Sequence, residues 1–160
     1  MSEAAPLSEM FREWIELINR DMGFELQVTP EGGLTFETAD GLAVTVEVPS
    51  EAPLMILHSP LMPIPPGGDA ALFQHLLELN AYGVATRGGS IGLAWKAGDI
   101  VYAYSWQPER PQFVAFSAVL AGFIHTAREL KAKVSAQLSM EAGDPVPPFD
   151  SMMLAFTTRV

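Results

Sequence analysis

Between residues 24 and 48, apolar and polar side chains alternate one for one, and glycine-bearing turns interrupt the alternation twice. Phe24, Leu26 and Val28 alternate with Glu25, Gln27 and Thr29, and "PEGG" follows. Leu34 and Phe36 alternate with Thr35 and Glu37 up to "ADG". Leu42, Val44, Val46 and Val48 then alternate with Ala43, Thr45 and Glu47. A period of two puts one set of side chains on each face, so the stretch predicts short antiparallel strands joined by hairpins. One face is apolar and needs a cover, while the other can meet water. A fourth strand, "LMILH" (54–58), is apolar on both faces and is expected to be central. The connector "SPLMPIPPGG" follows, and its prolines argue against both a helix interior and a central strand.

Helices are predicted around these strands. Residues 7–22, "LSEMFREWIELINRDM", space Phe11, Trp14, Ile15, Ile18 and Met22 by three and four, with Ser8 as N-cap and Gly23 past the end. Asp69 is placed to cap "DAALFQHLLELNAY". That helix is apolar over much of its circumference, so it requires burial on two sides. In a small domain the second side is expected to be another subunit. "SIGLAWK" and "IVYAYSW" predict a last hairpin joined by "AGD". Residues 111–138 carry Phe113, Phe116, Leu120, Phe123, Ala127, Leu130, Val134 and Leu138 at helical spacing. The expected order is α-β-β-β-β-α-β-β-α, an α+β fold with a twisted antiparallel sheet and three helices. One domain over 1–140 and a proline-containing tail over 141–160 complete the organisation. The tail is read as a linker or, through "SMMLAF", as a segment that docks on a neighbour.

Several chemistries are disfavoured. No cysteine is present, which excludes disulfides and thiol nucleophiles and suits a reducing cytosol. Nineteen acidic residues against nine basic give a net charge of −10, a field that repels nucleic acid and anionic lipid. No signal-peptide pattern and no run of 18 uncharged apolar residues is found, so no membrane partner is expected. "GVATRGGS" (83–90) is one residue from a phosphate loop, but Gly89 stands where the lysine belongs. It also joins a helix to a strand, the reverse of what that motif requires. The glycines are better read as backbone devices, with Gly83 ending the helix and Gly88 and Gly89 turning into a strand. His58, His75 and His125 lack metal-pair spacing. Ser90 in "GGSIG" lacks the strand-to-helix setting of a nucleophile elbow. Glu9, Glu13 and Glu16 form a solvated helix face. No catalytic residue, metal site or cofactor is assigned.

The order of elements, with "LTFETADGLAVTVEV", "LMILHSPLMPIP", "LFQHLLELNAYGVATRGGSIGLAWKAGDIVYAYSW" and the long closing helix, resembles the Tir-chaperone (CesT-like) family, the class I type III secretion chaperones. The resemblance covers about residues 8–138 and is most specific at "LLELNAYG…GGSIGLAW". It implies a cytoplasmic bacterial homodimer without enzymatic activity. Such a protein holds the N-terminal segment of a secreted effector soluble, extended and competent for secretion, with the secretion-apparatus ATPase as a further partner. Family correspondence places a dimer interface on residues 69–82 and 90–96, with Leu72, Leu76, Leu79, Leu93 and Trp95 as its candidates. It places effector binding on the first helix and early strands, at Phe11, Trp14, Ile18, Leu26, Phe36 and Val44. These six fit a core as readily as a client surface. The alternative is a regulatory or sensor module of the same fold that binds a folded protein partner.

Overall fold

A computed structural model describes residues 6–49 and 52–141, with side chains through Gln137. The elements are α1 (Leu7–Met22), β1 (Gly33–Glu37), β2 (Ala43–Glu47), β3 (Met55–Pro63), α2 (Ala70–Asn80), a 3₁₀ turn (Ala81–Gly83), β4 (Ser90–Ala94), β5 (Asp99–Trp106) and α3 (Phe113–Glu141). The strands form one antiparallel sheet in the order β1-β2-β3-β5-β4. Three helices and an antiparallel sheet are thus present, as the periodicities require. The expected tail over 141–160 lies, past Glu141, outside the described residues, and so does the side chain of Leu138.

The alternation fixes which face is covered. Leu34, Val44, Val46, Met55, Leu57, Leu61, Ile91, Ile100 and Tyr102 are buried together with Phe11, Phe116, Phe123, Leu130 and Val134 of the helices. Phe116 is the hub. Its ring meets Phe11 edge-on at 5.7 Å and stacks on Trp14 at 5.4 Å. Tyr102 stacks on Phe123 at 5.0 Å and donates its hydroxyl to the Thr86 carbonyl at 2.8 Å. Over Phe113–Gln137, α3 is long and apolar enough to cross a membrane by length and composition, which the count of uncharged residues did not anticipate. Here Phe116, Phe123, Ala127, Leu130 and Val134 sit in the domain core.

Four local expectations need correction. The first alternating run, 24–28, forms no strand, because Asn19 takes both backbone groups of Leu26. The amide Nδ2 donates to the Leu26 carbonyl and the Leu26 N–H donates to Oδ1, each at 2.8 Å. The expected four early strands are therefore three. Ser8 is not the N-cap of α1. The helix begins at Leu7 after Pro6, whose carbonyl accepts from the N–H groups of Glu9 and Met10. Prolines do occupy a central strand, since β3 runs through Pro60 to Pro63. Pairing of β3 with β2 ends at His58, so both prolines lie beyond that ladder and pair with β5 alone, near a register shift between Pro60 and Met62. Ser59 fills the gap by donating its hydroxyl to the Ala43 carbonyl at 2.7 Å. Finally, the strand expected over "SIGLAWK" is shorter: β4 stops at Ala94, and Trp95 stands in the turn that follows.

The capping expectations at α2 and the glycine cluster fare better. Asp69 accepts from the Leu72 N–H at 3.0 Å. Gly83 and Gly88 are left-handed, at φ 65° and 85°, but α2 itself ends at Asn80 with Ala81 as its cap, so Gly83 closes the 3₁₀ turn and does not end the helix as expected. Gly89 serves differently, because a Cβ there would fall 2.5 Å from the Tyr102 ring.

Candidate functional site

A groove of about 510 Å³ opens between α1, β1 and the first turns of α3. Its walls are Ile15, Ile18 and Met22 of α1, Phe24 and Leu26 of the following segment, Leu34 and Phe36 of β1, and Phe113, Phe116, Leu120 and Ile124 of α3. Helical spacing in α1 puts Ile15, Ile18 and Met22 on one face. Gly23, left-handed at φ 71°, ends the helix and turns the chain back. The Asn19 amide then pins Leu26, so that Phe24 and Leu26 extend the α1 wall. Met22 and Phe24 stay 66% and 50% exposed, a costly placement for large apolar groups without an occupant.

The opposite wall depends on the β1–β2 hairpin. Thr38 shapes its turn, accepting from the Leu42 N–H at 3.1 Å and donating to Asp40 Oδ1 at 2.6 Å. Gly41 is left-handed there, at φ 79°. Asp40 in turn accepts from Arg128 Nε and Nη2, both at 2.6 Å, a two-pronged bridge from the hairpin to α3. The guanidinium holds the Asp40 carboxyl well below the usual carboxylate range, and the Thr38 hydroxyl adds to the effect. The bridge ties the β1–β2 turn to α3, and Thr38 and Ala39 of that turn line the groove together with Ala121 and Ile124 of α3.

β1 is also an edge strand. Among the described residues, one backbone hydrogen bond joins the preceding segment to it, from the Thr29 N–H to the Gly33 carbonyl. Leu34 to Glu37 therefore border the groove without a second ladder. An edge with adjacent apolar pockets suits an extended peptide, which can pair its main chain and bury alternate side chains.

Of the six residues expected to bind a client, Ile18, Leu26 and Phe36 line this groove half-buried. Phe11, Trp14 and Val44 lie in the core behind it. Sequence patterning missed the α3 wall, because Phe113, Leu120 and Ile124 come from the far end of the chain. Of the five residues expected at a dimer interface, Leu72 and Leu76 are buried in the core, Leu79 and Leu93 are half-buried, and Trp95 is 68% exposed. Leu77 of α2, Tyr82 of the 3₁₀ turn and Val84 just after it are large and exposed as well; the first two fall inside the expected interface range 69–82 but outside its five named candidates. Tyr82 is fully exposed and left-handed at φ 61°, an uncommon strain for a bulky residue. Asn80 binds α2 to β4 as Asn19 binds its own neighbour, exchanging two hydrogen bonds with Ile91 at 2.8 and 2.9 Å.

Among the described residues, the histidines and Ser90 singled out by the sequence are not brought together. The three histidines stand apart, each beside a different glutamate: His58 by Glu47, His75 by Glu78, His125 by Glu129. Among the described residues no group of His, Asp and Glu is spaced to hold a metal ion. Ser90 opens β4, exposed.

Comparison with known proteins agrees with the geometry. A search of curated protein sequences returned no match. Among solved structures, a chain of the HopA1–SchA chaperone–effector complex superposes with a TM-score of 0.60 at 15% identity, covering 81% of this chain and 99% of that one. A chain of the ExsC–ExsE complex gives 0.63 at 18% identity, covering 78% and 92%. A chain of the heterodimeric ExoU–SpcU complex from the type III secretion system of Pseudomonas aeruginosa gives 0.56 at 16% identity, covering 76% and 92%. At such identities the likeness is one of fold. The family description "Tir chaperone protein (CesT) family" matches residues 13–131, from the middle of α1 to the last third of α3. With that span covered and the sheet order, helices and groove in place, the chain belongs to the Tir chaperone protein (CesT) family.

Proposed function

We propose that this protein is a type III secretion chaperone that holds the N-terminal segment of a secreted effector in the groove between α1, β1 and α3. The observation that carries this is the open apolar groove beside an edge strand. A folded partner has little use for such a trough, whereas an extended chain can fill it with successive side chains. Binding keeps the client's apolar residues from self-association and leaves it unfolded for the export machinery. The same geometry supports a binding protein over a catalyst.

The second part of the proposal is a homodimer formed through α2, the 81–84 turn and the end of β4. Leu77, Tyr82, Val84 and Trp95 are its centre, with Leu79 and Leu93 at the flank. Exposed aromatic and leucine side chains of this size are a common anchor of stable interfaces. Two copies present two grooves, so a long client gains a second, intramolecular contact. Cytoplasmic residence and transfer of the loaded complex to the secretion ATPase follow from the same reading.

Co-expression with secreted substrates of the host tests both parts. One client should copurify, and hydrogen exchange should show protection of 15–26, 34–39 and 113–124 on binding. Light scattering should give a dimer. Protection confined to the exposed sheet face, with a folded client, favours a regulatory module instead and counts against the chaperone.

A further inference from the structure

The groove has one departure from apolar character. Of the residues lining it, Glu37 alone is charged, and the rest are apolar apart from Thr38 and Ser117. Asp40, a carboxylate of the adjoining β1–β2 turn, is already occupied by Arg128 and the Thr38 hydroxyl. Glu37 has no ion pair among the described residues. It stands at the exposed end of β1, where the edge strand enters the turn. A lone carboxylate there repels an anion and attracts an ammonium or guanidinium. The aliphatic stem of lysine or arginine can lie on the apolar wall while its head reaches the acid. The net charge of −10 adds attraction at longer range.

We propose, resting on the client-groove reading above, that Glu37 sets client choice. The groove takes an extended segment whose apolar side chains are followed by a lysine or arginine that meets Glu37, and it disfavours a segment with a carboxylate at that place. Apolar anchors supply the affinity, and the acid discriminates by attraction on one side and repulsion on the other.

Three short fluorescein-labelled peptides, alternating leucine and serine and ending in lysine, norleucine or glutamate, test this by anisotropy on the full chain. The variants are Glu37→Gln, Glu37→Lys and a control, Glu9→Lys. The control makes the same charge change on the exposed first turn of α1, outside the groove. The lysine peptide should bind about fivefold tighter than the glutamate peptide at low salt, a gap that narrows as salt rises. Glu37→Gln should level the three, and Glu37→Lys should invert the order, with Glu9→Lys leaving it intact. Equal binding of lysine and glutamate peptides overturns the proposal, as does an equal effect of Glu9→Lys and Glu37→Lys, which assigns the preference to bulk charge. Uptake of all three only by a chain ending at Glu141, without charge preference, makes residues 142–160 the occupant and overturns it too. Binding by none, or binding indifferent to Phe36→Ser, removes the client groove itself and the charge preference with it.

Discussion

Two regions of this molecule leave apolar surface uncovered, and they differ in shape. The groove between α1, β1 and α3 is concave, with Ile18, Leu26 and Phe36 half-buried along its walls. The α2–β4 region carries Leu77, Tyr82, Val84 and Trp95 standing out into solvent. Both are braced the same way, by an asparagine amide that satisfies the backbone of a residue in a neighbouring segment: Asn19 on Leu26 and Asn80 on Ile91. A concave trough fits a chain without structure of its own, while projecting side chains fit a rigid counterpart such as a second copy. The difference separates two tasks that a count of exposed apolar residues would merge.

The strongest way to break the contrast is to remove the element that supports the groove from beneath. Phe116→Ala takes away a ring that is fully buried against Phe11 and Trp14. A loss of about 3–5 kcal/mol is expected, read from urea or thermal unfolding. An effect near that of a surface substitution would mean that α1 is held by something else. Next comes the projecting face. The double change Leu77→Asp and Trp95→Asp should weaken association by about 2 kcal/mol or more and shift light scattering from dimer to monomer. Peptide binding per chain should persist.

A sharper and smaller effect lies in the trough. Phe36→Ser exposes little new core, since Phe36 is half-buried on the edge strand. It should cost about 1–2 kcal/mol of client affinity in titration, with the dimer unchanged. Asn19→Ala removes two hydrogen bonds to Leu26. A destabilisation of about 1–2 kcal/mol and faster hydrogen exchange at Leu26 are expected. The smallest effect belongs to the exposed Asp40–Arg128 bridge. Asp40 titrates below its ordinary 3.8 in the folded protein, chiefly through its hydrogen bond from Arg128. Its contribution is therefore present above that value and fades as pH falls beneath it. Melting temperatures of the native chain and Asp40→Asn should differ slightly near neutrality and converge in acid.

The sequence made parts of this legible and hid others for identifiable reasons. Helix α1 was readable because Phe11, Trp14, Ile15 and Ile18 repeat at helical spacing, and α2 because Asp69 marks its start. The segment 24–28 looked like a strand because Phe24, Leu26 and Val28 alternate. Alternation reports which side of a segment is apolar, and it does not report whether the backbone finds a ladder or a side-chain amide. The prolines of β3 were misjudged because the ladder on one flank of a strand can end before the strand does. Part of the trough was visible as Ile18, Leu26 and Phe36. Its α3 wall was not, since no local pattern tells which face of a distant helix will close over β1. Glu37 read as one more solvent-facing strand residue, and its isolation appears only once Asp40 is seen to be taken by Arg128.

The path of β3 past His58 has a bearing on the company this protein keeps. From Ser59 onward the ladder to β2 has ended, and a strand flank without a ladder can invite another chain to join it. Pro60 and Pro63 lie on that stretch and offer no N–H, while Ser59 spends its hydroxyl on Ala43. A foreign strand laid there finds donors missing and gains little. The missing donors disfavour pairing on that flank, and they leave the β1 edge, with the apolar groove beside it, as the better place for an added strand.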